Sequence, residues 1–373
     1  MKKVLAILLC VAMVAVLALA GCGGDGGSSQ SSDSTSATTE NAGNVATIVT
    51  TALGDKSFND SCWTGLNTLK DKYGIEIAYY ELKADYTKTL PALTEFAESG
   101  NYNIIVTGSP STVDGAKAAI EMFPNQKFIH YDTTIQDGEN GPYANAFSME
   151  YKQNEGSYLA GWLAGKVTKT GVIAQLGMQE IDIIYDFMYG YLEGAKAARD
   201  DIKVITTFIG DSTDVAKAKE LSNSAIGQNA DVLFQIAGGA GAGVFEAVAE
   251  SGKSDVWAIG VDSDQYAEYV AIDRQDIADV ILTSMAKNIG NSVIWAYEQE
   301  MAGTLEWGTN TSLGISEDAV GPAESGPFLE LDQALLDEYA QIKQDVADGK
   351  IKVGTALGKT TAEQQAFVDS FRP

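Results

Sequence analysis

The segment ATIVTTALGDKSFNDSCWTGLNTLKDKYGIEIAYY, Ala46–Tyr80, decides the fold class. It opens on a short β-branched run, Ala46 to Thr51, and passes through a polar turn. It then sets Cys62, Leu66, Leu69 and Tyr73 at the three- and four-residue spacing of one helix face, until Gly74 stops the run. A second strand pattern, Ile75 to Tyr80, follows at once. Strand, helix and strand in this order form a βαβ unit, whose two strands lie parallel because the helix carries the chain back over the sheet.

Working outward, the same alternation continues. Strand patterns occur at Asn103 to Thr107, Lys127 to Asp132 and Ala144 to Met149, and a second series runs through Gly171 to Gln175, Lys203 to Phe208, Val232 to Ile236, Val256 to Val261 and Asp279 to Leu282. Helical patterns separate them, among them Tyr185 to Arg199, with Met188, Tyr191, Ala195 and Ala198 on one stripe. At 373 residues the chain exceeds what one core organises, and two series of similar length predict an α/β protein of two doubly wound parallel-sheet lobes. The helix Tyr151 to Lys166 is expected to begin the second lobe and another to run from Ser284 to Met301. Because Thr309 to Ile315 and an acidic helix, Asp332 to Asp348, come later, the chain is expected to cross between lobes more than once through a hinge. The expected first lobe is 46–150 with 285–325, and the second is 151–284 with 326–373.

Composition narrows the function classes. With 25 Lys+Arg against 51 Asp+Glu, the formal net charge of −26 repels nucleic-acid phosphates and excludes DNA or RNA as partners. The single histidine, His130, removes most metal sites and nearly all His-based acid–base schemes, so no metal or cofactor is expected and binding is favoured over catalysis. The N-terminus reads as a signal peptide, residues 1–21: Met-Lys-Lys, an apolar run from Val4 to Ala20, then Leu19-Ala20-Gly21-Cys22. That tetrapeptide resembles the bacterial lipobox, which implies diacylation of Cys22; the alternative is an uncleaved anchor. Residues 22–45 contain almost no large apolar side chain and read as a lipidated cysteine with a flexible tether. Only Cys62 then remains in the folded part, which excludes an internal disulfide.

In open α/β sheets ligands sit outside the carboxyl ends of the strands, so two facing lobes place strand-end loops around one cleft. After the first strand, Phe58 offers a stacking face and Asn59 a donor and acceptor, although Phe58 also fits as a first core residue, sharing a face with Cys62 and Leu66. Asp132 and Asp262 end strand patterns, where a carboxylate can accept hydrogen bonds from sugar hydroxyls; either could instead cap the next helix. The run Ala237 to Gly243 (AGGAGAG) fits neither the Walker pattern nor a GxGxxG with a ribose-binding acid at the usual offset, and its small residues admit a ligand or a neighbouring helix. Lys287 is placed at a helix start, where a cation is less expected and is either functional or plainly solvated.

Six ordered blocks then carry a resemblance: DKSFN (Asp55 to Asn59), NEGSYLAGWLAG (Asn154 to Gly165), FMYGYLEGAK (Phe187 to Lys196), IAGGAGAGV (Ile236 to Val244), GVDSDQ (Gly260 to Gln265) and LTSMAK (Leu282 to Lys287). Together they resemble the basic membrane protein, or PnrA-like, family over roughly Ala46 to Gly326. The resemblance implies the type I periplasmic-binding fold and a lipoprotein of an ABC importer, anchored on the outer face of the cell membrane through Cys22. It further implies a monomer that serves membrane permease subunits and binds a nucleoside, with a purine as the expected base. By the same resemblance Phe58 and Phe187 stack on the base from opposite lobes and Asn59 bonds its edge. Asp132, Asp262 and Lys287 hold the ribose, and Gly238 or Gly239 lets the sugar approach. One departure stands out: many purine-binding members carry an acidic residue directly after the first strand, where this chain has Thr50, Thr51, Ala52, Leu53 and Gly54. That leaves room for a pyrimidine nucleoside. The alternatives are a same-fold receptor for a sugar or signalling molecule and, from another class, a nucleoside-cleaving enzyme, since paired carboxylates also serve glycosidases.

Overall fold

The computed structural model describes residues 42–373. The expected signal peptide, Cys22 and almost all of the expected tether lie outside the described residues. Two six-stranded sheets organise the chain. The first contains β1 (Val45–Val49), β2 (Ile77–Glu81), β3 (Ile104–Gly108), β4 (Lys127–Tyr131), β5 (Ala146–Tyr151) and, from much later in the chain, β11 (Thr309–Leu313). Their order is β11-β5-β4-β3-β1-β2, and every pairing is parallel. The second contains β6 (Val172–Gly177), β7 (Lys203–Phe208), β8 (Val232–Ile236), β9 (Trp257–Asp262), β10 (Ile281–Lys287) and β12 (Val320–Pro322), in the order β12-β10-β9-β8-β6-β7. Only β12 runs antiparallel.

The opening βαβ unit forms as its pattern dictates. Its helix, Phe58–Tyr73, buries Cys62, Leu66 and Leu69, and Gly74 ends it in the left-handed region at φ 69°, donating its N–H to the Lys70 carbonyl. The central strands β1, β3 and β8 are buried along their whole length, as sheets covered by helices on both faces require, whereas the edge strands β2 and β11 are largely half-buried or exposed. In the second lobe, helices Gln153–Val167 and Asp182–Ala198 pack backbone to backbone. A Cβ placed on Gly161, Gly190 or Gly194 would strike a main-chain carbonyl of the opposite helix.

The structure corrects one element and two boundaries. LTSMAK belongs to a strand, not to a helix from Ser284: β10 continues to Lys287 and the helix begins at Ile289. Met285, Ala286 and Lys287 favour helix locally, yet this stretch is hydrogen-bonded between β9 and β12, and that tertiary pairing overrides propensity. The chain therefore changes sheet after Lys287, not at 284/285. It changes again between Leu313 and Val320, not at 325/326. With the passage from Tyr151 into the helix at Gln153, three segments join the lobes.

Candidate functional site

A cavity of about 280 Å³ lies between the facing carboxyl ends of the two sheets, just below the ~300–1,000 Å³ typical of small-molecule sites. All eight residues expected at a ligand site line it: Phe58, Asn59 and Asp132 from the first lobe, and Phe187, Gly238, Gly239, Asp262 and Lys287 from the second.

Its charged end is built from strand termini. Lys287, 2 % exposed, closes β10 and forms an ion pair across the cleft with Asp132, which follows β4. Its ammonium lies 4.9 Å from the centre of the Phe187 ring, 5.6 Å from Tyr151 and 5.9 Å from Phe58, so it is held among aromatic faces. Asp262 ends β9 and accepts a hydrogen bond of 2.7 Å from the Ser57 hydroxyl of the opposite lobe. Burial pushes both carboxyls above their ordinary value; the charge of Lys287 opposes this in each, and the Ser57 hydroxyl does so at Asp262. Two carboxylates and one ammonium, almost dry, can hold a polyhydroxylated ligand by charge-assisted bonds of about 1.5–3 kcal/mol each. Neither carboxylate caps a helix: the cap of Gln265–Ala271 is Asp264, and after Asp132 no helix begins until the short turn Gly138–Asn140. Both aspartates sit in the left-handed region, at φ 76° and 66°, a conformation that costs energy and here turns each carboxylate into the cleft loops.

Phe58 combines both of its readings. It packs partly on the core, its ring 5.2 Å from that of Tyr131, and still lines the cavity. Asn59 departs from expectation. Its carbonyl oxygen accepts from the Thr50 N–H and hydroxyl, both at 2.9 Å, and its amide donates to the Thr51 hydroxyl at 2.9 Å and the Asp55 carboxylate at 2.7 Å. Two acceptor sites and two donors exhaust a primary amide, so Asn59 braces its own loop and has no group left for a base edge. The Asp55 carboxylate is likewise committed, accepting N–H groups from Ser57, Asn59 and Asp60.

The glycine-rich turn divides its two expected uses along its length. Gly238 (φ 55°) and Gly239 line the cavity, where an added Cβ would meet little more than Ser212 or the edge of Asp55. Gly243 lies against the backbone of the helix Val215–Gly227 and serves packing. His130, the only histidine, is fully buried; burial depresses its pKa to about 3, and Nδ1 pairs with the Thr107 hydroxyl at 2.5 Å. It stays neutral inside the first lobe.

Sequence reasoning passed over Tyr86, Ser109, Ser111, Met178 and Asp211, which also line the cavity. Ser109 and Met178 directly follow β3 and β6, so the strand-end rule applied to every strand would have found them. Sheet order sorts the lining: the ion pair stands at the β4, β9 and β10 side, whereas Tyr86 and Asp211 follow β2 and β7 at the far edges.

Paired parallel-sheet lobes, three crossings and a cavity at the facing strand ends define a two-lobed solute-binding protein with the type I periplasmic-binding fold. The family model described as ABC transporter substrate-binding protein PnrA-like matches residues 42–355, and the chain belongs to that family. It is thus an extracytoplasmic substrate-binding component of an ABC transporter and not an enzyme. The ABC transporter nucleoside-binding protein BmpA of Lactococcus lactis subsp. cremoris is 35 % identical over 324 residues, covering 82 % of this chain and 88 % of that one. Basic membrane protein A of Borreliella burgdorferi is 32 % identical over 276 residues, covering 74 % and 77 %. Among solved structures, an ABC transporter solute-binding protein from Aeropyrum pernix K1 superposes with a TM-score of 0.75 at 19 % identity, covering 88 % of this chain and 96 % of that one, which speaks to the fold alone. Among the described residues, no helix is long and apolar enough to cross a membrane.

Proposed function

We propose that this chain is a lipid-anchored nucleoside receptor whose lobes close over a purine nucleoside and present it, as a monomer, to the permease. The observation that carries this reading is the convergence, from both lobes, of Asp132, Asp262 and Lys287 beside the rings of Phe58 and Phe187. A ribose offers hydroxyls to two carboxylates and an ammonium, and a flat base offers faces to the aromatic rings, with stacking contributing about 1–3 kcal/mol per base. The name of the Lactococcus relative supports the same ligand class. With Asn59 occupied in its own loop, the pairing of base edge and protein is expected to be loose and the ribose requirement strict. A buried carboxylate deprived of its hydroxyl partner is penalised, whereas stacking tolerates any base. Cys22 and the tether behind it place the receptor at the outer membrane face in this reading.

Thermal shift of the purified protein against inosine, adenosine, uridine, 2′-deoxyadenosine, free bases and ribose tests the assignment. A ligand that binds the folded state alone raises the melting temperature by mass action. Ribonucleosides are expected to raise it, 2′-deoxynucleosides and free bases much less, and Asp262→Ala is expected to remove most of the effect. If ribose or a base alone matches the nucleosides, or no nucleoside at millimolar concentration acts, the assignment fails.

A further inference from the structure

Besides the groups that line the cavity, the lobes touch through a second set of polar contacts. The Lys56 carbonyl of the first lobe accepts two hydrogen bonds from the second: one from the Ser263 hydroxyl at 2.8 Å and one from the Gln265 side-chain amide at 2.8 Å. None of the three residues lines the cavity. Ser263 faces a separate crevice on the outer side of the lobe junction.

Both halves of this contact are braced by hydrogen bonds within their own lobes. Gln265 is 2 % exposed, and its side-chain oxygen is fixed inside its own lobe by the Val261 N–H at 2.9 Å and the Gln235 amide at 2.7 Å. Its remaining donor is thereby aimed out of the lobe. On the other side Lys56 is a non-glycine residue in the left-handed region, φ 49°. Such a conformation persists only where its surroundings over-determine it. Here the Asp60 carboxylate accepts the N–H groups of Gly54 at 2.8 Å and Lys56 at 2.9 Å, and the Asp55 carboxylate accepts those that follow. The strained loop turns one carbonyl toward the opposite lobe, where two donors fill it.

We infer that Ser263, Gln265 and the Lys56 carbonyl form an interlobe latch that sets affinity without touching the ligand. Resting on lobe closure over a nucleoside, as proposed above, the latch works by population. Apparent affinity is the intrinsic affinity scaled by the fraction of molecules in the binding-competent state, so contacts made only on closure tighten every ligand by one common factor. Ser263 and Gln265 are positioning residues in this scheme, and ligand selectivity lies elsewhere.

The test is calorimetry on the full chain with inosine and adenosine, for wild type, Ser263→Ala and Gln265→Met, together with small-angle scattering of the ligand-free proteins. Ser263→Ala is expected to weaken both nucleosides by the same factor, roughly five- to tenfold as for one lost hydrogen bond, with the inosine-to-adenosine ratio and the ligand-free melting temperature unchanged. Gln265→Met should do the same or more; because Gln265 also braces its own lobe, its ligand-free melt shows whether any loss is structural. Affinities of Ser263→Ala within twofold of wild type, or losses that differ between the two nucleosides, overturn the latch. If wild type binds neither nucleoside, the functional reading fails separately and scattering decides the latch: a larger radius of gyration in Ser263→Ala supports it, and identical profiles overturn it.

Discussion

Lys287 shows how much one side chain carries here: it is the one cation among the described residues lining the cavity, and it faces Asp132 directly and Asp262 through space. Removing it would leave two buried carboxylates without a counter-charge, the situation in which breaking a buried pair costs about 3–5 kcal/mol. Glu268 is its acidic counterpart at the lobe junction. Burial, chiefly, together with the charges of Asp60 and Asp55 from the opposite lobe, raises its pKa to about 7, while the Ser263 hydroxyl and Lys56 pull the other way. A carboxyl whose folded value lies above its unfolded value of 4.5 takes up a proton on folding. Its ionised form therefore costs stability above about pH 7, and that stability is regained as pH falls from about 7 toward 4.5. Glu268→Gln is thus expected to raise the melting temperature at pH 8 and to flatten its dependence between pH 5 and 8. Melting curves for wild type and variant that run parallel over that range would contradict this assignment.

Among elements, the helix pair Gln153–Val167 and Asp182–Ala198 accounts for two of the most recognisable sequence blocks, NEGSYLAGWLAG and FMYGYLEGAK. Their glycines are explained by contact between backbones, since Gly161, Gly190 and Gly194 each face a carbonyl of the partner helix. That packing places Phe187 at the cleft, on the first turns of the second helix. Gly194→Ala is expected to destabilise by at least the ~1–3 kcal/mol of an overpacked core and to weaken ligand binding by displacing Phe187, although Gly194 does not line the cavity. Urea unfolding with calorimetry checks it, and a variant as stable as wild type would show that the helices can separate at little cost. The strand β10 teaches the converse lesson: Met285, Ala286 and Lys287 read locally as helix, and only pairing with β9 and β12 makes them strand.

For the whole molecule, most ion pairs among the described residues are at least partly exposed and contribute little stability each. The acidic surplus therefore acts mainly on solubility and partner choice. Among the described residues, the buried charges Asp132, Asp262 and Lys287 gather where the lobes meet, whereas Asp186 and Asp231 are held inside the second lobe by hydrogen bonds to Thr355 and Ala356 and to Thr168, Lys169 and Thr170. Cellular placement belongs to this scale as well. Cys22→Ser is expected to move the protein from the membrane fraction to the medium or soluble fraction with nucleoside affinity unchanged. A variant that still sediments with membranes would refute anchoring through that residue.

Hydrophobic periodicity and turn residues are local signals, and with them the sequence alone determined two series of βα units and a site at the strand ends; Gly74 stopping the first helix and Asp132 and Asp262 at the ends of β4 and β9 are read that way. The expectation that nucleic acid and His-based chemistry play no part also needed only charge and residue counts. Tertiary structure alone decided that Asn59 spends its amide on Thr50, Thr51 and Asp55, that Lys287 ends a strand and meets Asp132, and that the Lys56 carbonyl is held from the opposite lobe. Each depends on residues distant in sequence or on a backbone conformation that residue type leaves open. Such pairings acquire their energy only when the whole sheet order has brought the partners together.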